Sequence, residues 1–367
     1  MTKRSLVLLE PQCQGFEHAP FNSALLKALE LSDIFTRIYF MSEYSHFRLV
    51  EATHYRKNPI YQILSGNKLL RFIQEALLTL YISARNFISK DAVMFSSVTK
   101  TNLLTLGFAN LFFSKKNKIN VIIHSILSEV EIQNRFFSVR SMISFYLSTG
   151  GTLFVLGDSI EKNCKPKFNG SQRIRSIPHY YNVAGANETL KSHDFQYFAC
   201  MGVLTKSAEN LKKLTRFSPS IDKKFVKIVG FTSNVDLVKD LPFDVPTSPI
   251  ERSKYEYLIS NSTFTLSVID SKRYRYTASG TFLDSVFIGK PGIYLRNDFV
   301  AYYFDRYGDL GYLCNNMRDV HSIMYQLSSG ELCDTSFYQH CLENIIKARK
   351  HFEPSFENTV VFREVYQ

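Results

Sequence analysis

Residues Tyr276–Pro291 read YTASGTFLDSVFIGKP, and they decide the fold. A polar loop ends in two small residues, Ser279 and Gly280. Thr281–Ile288 has the apolar content of a helix. Gly289, Lys290 and Pro291 stop it before a new apolar run, Gly292–Leu295. Loop, helix, turn and strand in that order form one step of a parallel α/β sheet. Ser279 and Gly280 let the backbone come close to a ligand. The helix start offers free N–H groups and the positive end of the helix dipole, which suits a pyrophosphate. Thr281 adds a hydroxyl. Lys272, Arg273 and Arg275, just upstream, supply charge for phosphate groups. The same letters also fit an ordinary helix capped by Ser279 with solvated basic residues beside it.

Working outward, the second half repeats this alternation. Phe198–Met201 reads as a strand ending at Gly202. Ser207–Arg216 reads as a helix, Phe225–Val229 as a strand ending at Gly230, Lys254–Ile259 as a helix, and Phe264–Ile269 as a strand. The first half shows the same rhythm. Strands are expected at Ser5–Leu9, Ile34–Met41, Ala92–Phe95, Val121–Ile123 and Thr152–Leu156. Helices are expected at Lys68–Ile88, Asn102–Phe113 and Phe136–Ser148, and from a cap at Asn22 to about Leu31. The polar segment Ile174–Asp194 separates the halves and reads as a linker. The expected fold is α/β, with two Rossmann-like doubly wound domains facing a cleft. The expected division is 1–178, a linker at 179–194, a second domain at 195–353 and a closing helix within 354–367. In open α/β sheets ligands bind beyond the strand C-terminal ends, where the strand order reverses.

The chain has 367 residues, 45% hydrophobic and 21% charged, as in folded globular proteins. Its six cysteines contain no C-x-x-C pair and read as scattered thiols of a reducing compartment. The apolar run Leu6–Leu9 is too short for a secretory signal. Leu69–Ile88 is interrupted by Arg71, Glu75 and Arg85, so it reads as a buried helix rather than a membrane span. A cytoplasmic protein is expected, or one at the inner face of the cytoplasmic membrane. The formal net charge is +11, and residues 1–178 hold 22 Lys+Arg against 12 Asp+Glu. Basic surface attracts phosphate or anionic lipid, at roughly 1 kcal/mol per residue near an anionic membrane.

Three pieces, Gly202–Lys206 (GVLTK), Lys227–Gly230 (KIVG) and Ser279–Pro291, stand in the order found in the donor domain of GT-B glycosyltransferases, and the chain resembles that group. The stretch RSIPHYYN is similar to the strand that closes the acceptor domain there. IIHS resembles the strand end that carries a His facing the cleft. The resemblance implies transfer of a sugar from a nucleotide-sugar donor to a glycan or lipid-linked acceptor, of the bacterial surface-polysaccharide type. It implies no cofactor besides that co-substrate. It places Gly202, Lys206, Gly230, Arg273, Arg275, Ser279, Gly280, Thr281 and Asp284 around the donor, with Lys206 on the phosphates and Asp284 near the ribose. It also implies that the C-terminal helix crosses back onto the first domain. Many retaining members carry a Glu-x7-Glu motif. Asp284 matches the second acid, but Tyr276 stands at the first.

An inverting transfer needs a general base for the acceptor hydroxyl. The loop EPQCQGFEHAPFN supplies Glu10, Glu17 and His18, with the adjacent pair Glu17 and His18 as first candidates. His124, at the end of its strand, is the next, followed by Glu129, Glu131 and His179. Lys68, Arg71, Lys115, Lys116 and Lys118 lie among Leu69, Leu70, Phe72, Phe108, Leu111, Phe112 and Phe113. The basic residues can meet lipid headgroups, while most of the apolar ones read as core. H-E-x-x-H, D-x-D, G-x-S-x-G, the Walker motif and G-x-G-x-x-G are all absent, so no metal site is expected. A nucleotide-sugar epimerase on the same architecture is the alternative. Nucleic-acid binding finds no recognisable module.

Overall fold

The computed structural model describes residues 4–14, 18–50, 67–89, 91–113, 119–132, 138–181, 195–202, 204, 207–217, 221–269, 274–332 and 334–366. The chain divides into two compact units. One is Met1–Asn182 with Tyr276–Ala278 and Phe352–Gln367. The other is Val183–Arg275 with Ser279–His351.

The first unit holds six strands: β1 (Arg4–Leu9), β2 (Phe35–Met41), β3 (Ala92–Phe95), β4 (Asn120–Ile123), β5 (Leu153–Leu156) and β6 (Ile174–Ile177). They form one parallel sheet in the order β2-β1-β3-β4-β5-β6. The inner strands AVMF, NVII and LFVL are buried along their whole length, as a sheet covered on both faces requires. The order reverses between β1 and β3, which creates a switch point above Leu9 and Phe95. Leu6, Leu8, Leu25, Leu29, Phe40 and Phe154 belong to the core, and Phe362 and Tyr366 from the C-terminal segment join it. Tyr180 Oη donates to the Asn358 carbonyl at 2.6 Å.

The second unit holds β7 (Phe198–Cys200), β8 (Val226–Ile228), β9 (Phe264–Ser267), β10 (Gly292–Leu295) and β11 (Gly311–Cys314), parallel throughout, in the order β11-β10-β9-β7-β8. Its switch point lies between β7 and β9, above Cys200 and Ser267.

Several sequence expectations change in detail. Ile174–Ile177 is a strand, as the resemblance of RSIPHYYN implied and the linker reading of Ile174–Asp194 did not: its polar Arg175 and Ser176 are held by pairing with β5 at the sheet edge. Residues 182–194 lie outside the described set. The first helix starts at Ala19, ahead of Asn22, because Pro20 suits a first helical turn; Asn22 is buried within the helix. A short helix, Asp158–Cys164, and the run from Asp298–Tyr307 through β11 to Met317–Ser329 were not anticipated. The helix Lys68–Ser89 is not a buried one. Leu69, Leu70, Phe72, Phe108, Leu111 and Phe112 are exposed rather than core. Among the described residues no helix is long and apolar enough to cross a membrane. Among the described residues Cys13, Cys164, Cys200, Cys314 and Cys341 are buried.

Candidate functional site

In the second unit, Ser279–Pro291 folds as its letters dictate. Ser279 caps the helix Gly280–Ile288, its hydroxyl accepting from Phe282 N–H at 3.3 Å. Gly289 ends it at φ 77°, and Lys290 N–H returns to the Ser285 carbonyl at 2.9 Å. The helix start belongs to the switch point. Gly202, just past β7, has φ 93°, and a Cβ there would stand 2.7 Å from Thr281 Cγ2. A Cβ on Gly230 would stand 2.1 Å from the Gly202 carbonyl oxygen. These two glycines bring the ends of β7 and β8 down to backbone contact beside the helix. Gly280 is the reverse case: a Cβ there meets nothing within 4 Å. The first turn of a nine-residue helix is therefore open at Gly280, with the N–H groups of Gly280 and Thr281 facing an anion's approach while Phe282 N–H is held by the Ser279 cap.

The other expected donor residues divide. Thr281 is buried, its hydroxyl 3.2 Å from Ser267 Oγ and 3.1 Å from Ser279 Oγ, so it shapes the turn rather than offering an open hydroxyl. Asp284 is held by Tyr255 Oη at 2.8 Å and by Arg252 at 3.3 Å, both from the helix Arg252–Ser260. Arg275 lies 3.9 Å from Asp298, with both side chains half-exposed. Lys206 and Arg273 lie outside the described residues, as does Glu17.

In the first unit the switch point gathers around Glu10, the residue after β1. Its carboxylate is 1% exposed. One oxygen accepts from Gln12 N–H at 2.9 Å, Cys13 N–H at 3.2 Å and the Ser97 hydroxyl. The other accepts from Ser96 Oγ at 2.8 Å and Asn22 Nδ2 at 3.3 Å. Burial raises the carboxyl pKa, but these hydrogen bonds and the charge of His18 outweigh it and hold the pKa below the usual value. Glu10, Cys13 and His18 place ligand-type atoms within 4.8 Å of one another. Both Glu10 oxygens already serve five donors, so this carboxylate is built as a hub for the loops rather than as a metal ligand.

Three histidines cluster beside the hub. His18, in the left-handed region at φ 56°, stacks on His124 with ring centroids 4.5 Å apart. His179 lies 6.2 Å from His124, and Phe21 packs against both, at 5.0 Å from His124 and 4.9 Å from His179. His124 Nε2 is 2.9 Å from the Ser96 carbonyl. A carbonyl only accepts, so Nε2 carries the proton and Nδ1 keeps the basic lone pair. Burial, then the neighbouring His18 and His179, hold His124 well below the ordinary imidazole pKa. Burial and His18 push His179 down to about 3. His18 Nδ1, His179 Nδ1, Gln12 Nε2 and Asn22 Oδ1 are buried without a hydrogen-bond partner. Buried polar atoms of this kind are rare without a ligand or water to satisfy them. Glu129 and Glu131 are tied up elsewhere: Lys100 pairs with Glu129 at 2.6 Å, and Tyr276 Oη donates to Glu131 at 2.9 Å.

A group whose folded pKa is depressed stabilises the fold fully above its unfolded value, and that stability is lost as pH falls toward the folded value. For His179 the window runs from the ordinary value of 6.5 down to about 3. Denaturant titrations from pH 7 to pH 4 are expected to show a steady loss of stability that is smaller in His179→Gln. An equal loss in both proteins would contradict this assignment.

Sequence reasoning named Glu10 but passed over its role, and it missed Ser96, Ser97, Asn22 and Ser267. A carboxylate directly after the first strand and a Ser-Ser pair directly after the third were the available signals.

No protein-family model and no curated protein matches the sequence. Solved structures do match along the whole chain. TarM superposes with a TM-score of 0.66 at 9% identity, covering 100% of this chain and 99% of that one. The UDP-forming α,α-trehalose-phosphate synthase of Burkholderia xenovorans, in complex with glucose-6-phosphate, gives 0.63 at 10% identity, covering 99% and 100%. HepE of Anabaena, in complex with UDP, gives 0.62 at 11% identity, covering 99% of each. The chain has the two-unit α/β fold of GT-B enzymes. At these identities the likeness fixes the fold.

Proposed function

We propose that the chain is a metal-independent glycosyltransferase. It takes a sugar from a nucleotide-sugar donor, held on the second unit, and passes it to a glycan or lipid-linked acceptor in bacterial surface-glycan synthesis. The observation that carries this reading is the open helix start at Gly280, set beside Gly202 at the β7–β9 switch point. When the anomeric C1–O bond breaks, negative charge grows on the departing nucleoside diphosphate. Fixed N–H donors and a dipole end stabilise that charge without reorganising. The imidazoles of His18 and His124 stand in the first unit as candidate proton acceptors, His124 with its pKa held well below the ordinary value. In an inverting transfer the acceptor hydroxyl gives its proton to one of them as its oxygen attacks C1. The surface-glycan acceptor rests on the motif resemblance, and work at the cytoplasmic membrane face rests on the basic first half.

The test is product analysis with a panel of UDP-, GDP-, CMP- and dTDP-sugars, with and without a lipid-linked acceptor fraction. Release of nucleotide together with labelled acceptor is expected, at a rate unchanged by EDTA. An isomerised nucleotide-sugar formed without acceptor would make the protein an epimerase. Loss of the activity in EDTA would overturn the metal-free mechanism.

A further inference from the structure

The helices Lys68–Ser89 and Lys100–Phe113 carry apolar side chains on their outer as well as their inner faces. The first buries Thr79, Ser83 and Asn86 beside Leu78 and Ile82. Thr79 and Ser83 are satisfied inward: Asn102 Nδ2 donates to Thr79 Oγ1 at 3.0 Å, Ser83 Oγ to the Thr79 carbonyl at 2.7 Å, and Thr99 Oγ1 beside them to Glu75 at 2.7 Å. The second helix buries Asn102 and Asn110 beside Leu103, Leu106 and Ala109. The outward faces also carry large apolar side chains: Leu69 (66% exposed), Ile73 (43%), Leu77 (61%) and Ile88 (79%) on one helix, Leu111 (60%) and Phe112 (77%) on the other. Leu69, Ile73, Leu77 and Ile88 follow helical spacing and form one stripe. The rings of Phe87 and Phe113, 6.2 Å apart, join the two helices into a continuous face. Scattered exposed apolar residues are ordinary, but a contiguous patch marks a surface that something apolar covers.

The charge on this stretch selects the occupant. Within the two helices Lys68, Arg71, Arg85 and Lys100 stand against the single acid Glu75. Two copies meeting through this face would bring like charges together, whereas anionic headgroups complement them. We infer that this two-helix face docks onto a membrane bearing anionic lipid, with the apolar stripe seated at the headgroup–acyl boundary and the basic residues among the headgroups. The inference stands without the transferase reading, since it rests on exposure and charge alone.

The test is flotation of the full chain with phosphatidylcholine vesicles, with and without 30 mol% phosphatidylglycerol (a proportion of about one third gives a strongly anionic surface). Wild type is expected to float with the anionic vesicles and to be released by salt. The double variant Leu77→Glu/Phe112→Glu is expected to lose binding by about tenfold or more. Its thermal midpoint should be unchanged, because both sites are exposed. Lys68→Glu, a separate variant, should weaken binding to the anionic vesicles alone. Equal flotation by wild type and the double variant would overturn the inference. So would a wild-type dimer in light scattering that the double variant dissociates while neither floats.

Discussion

His124→Ala is expected to lower turnover by about 10²–10⁴-fold, the usual contribution of a positioned general base, with little change in KM. The imidazole is partly buried and neutral, and its Nε2–H is committed to the Ser96 carbonyl, which leaves Nδ1 to take a proton. Losing that one hydrogen bond costs about 1 kcal/mol, so the variant should stay folded. His18→Ala is the matched comparison, because its ring stacks on His124. Steady-state kinetics with the accepted donor separates them. The residue whose loss removes the acidic limb of the pH–rate profile is the base, and the other orients it. Two variants with wild-type turnover would remove the histidines from the chemistry and leave Glu17 as the candidate.

Gly280→Asp is expected to move stability and donor binding in opposite directions. A carboxylate in the first turn of a helix favours the helix by about 0.3–1 kcal/mol. The Cβ meets open space, so no clash opposes it. A diphosphate seated on the same N–H groups would meet that carboxylate at close range. Two unit charges 4 Å apart at an effective dielectric of 20 repel by about 4 kcal/mol, so donor affinity should fall by about 100-fold or more. Thermal melting and calorimetric titration on one preparation measure both. A variant that melts no lower than wild type and no longer binds nucleotide fits the account. A variant that binds equally well places the phosphates elsewhere.

The fold was legible because its signals are local. Short apolar strands with no alternation, such as Ala92–Phe95 and Leu153–Leu156, announce a sheet buried on both faces. Gly289, Lys290 and Pro291 announced a helix end. What escaped were elements whose letters obey tertiary context. β6 is polar at Arg175 and Ser176 and is a strand because β5 pairs with it. The helix Lys68–Ser89 read as buried because Arg71, Glu75 and Arg85 interrupt an apolar run too charged to span a membrane, and apolar content does not say which side of a helix faces in. The candidate site of the second unit was half legible. Gly202, Gly230 and Gly280 fall at one switch point, while the Thr281 hydroxyl turned inward to Ser267, sixty-odd positions past Gly202 in sequence. The Glu10 hub draws on β1, β3 and the first helix, and no spacing rule links residues that far apart.

Amide chemical shifts during titration with UDP, GDP and dTDP test the central claim most directly. The account predicts that, for one of these nucleotides, the N–H signals of Gly280, Thr281 and Phe282 move together and saturate with Gly202. Saturable binding that leaves those four amides in place would contradict it.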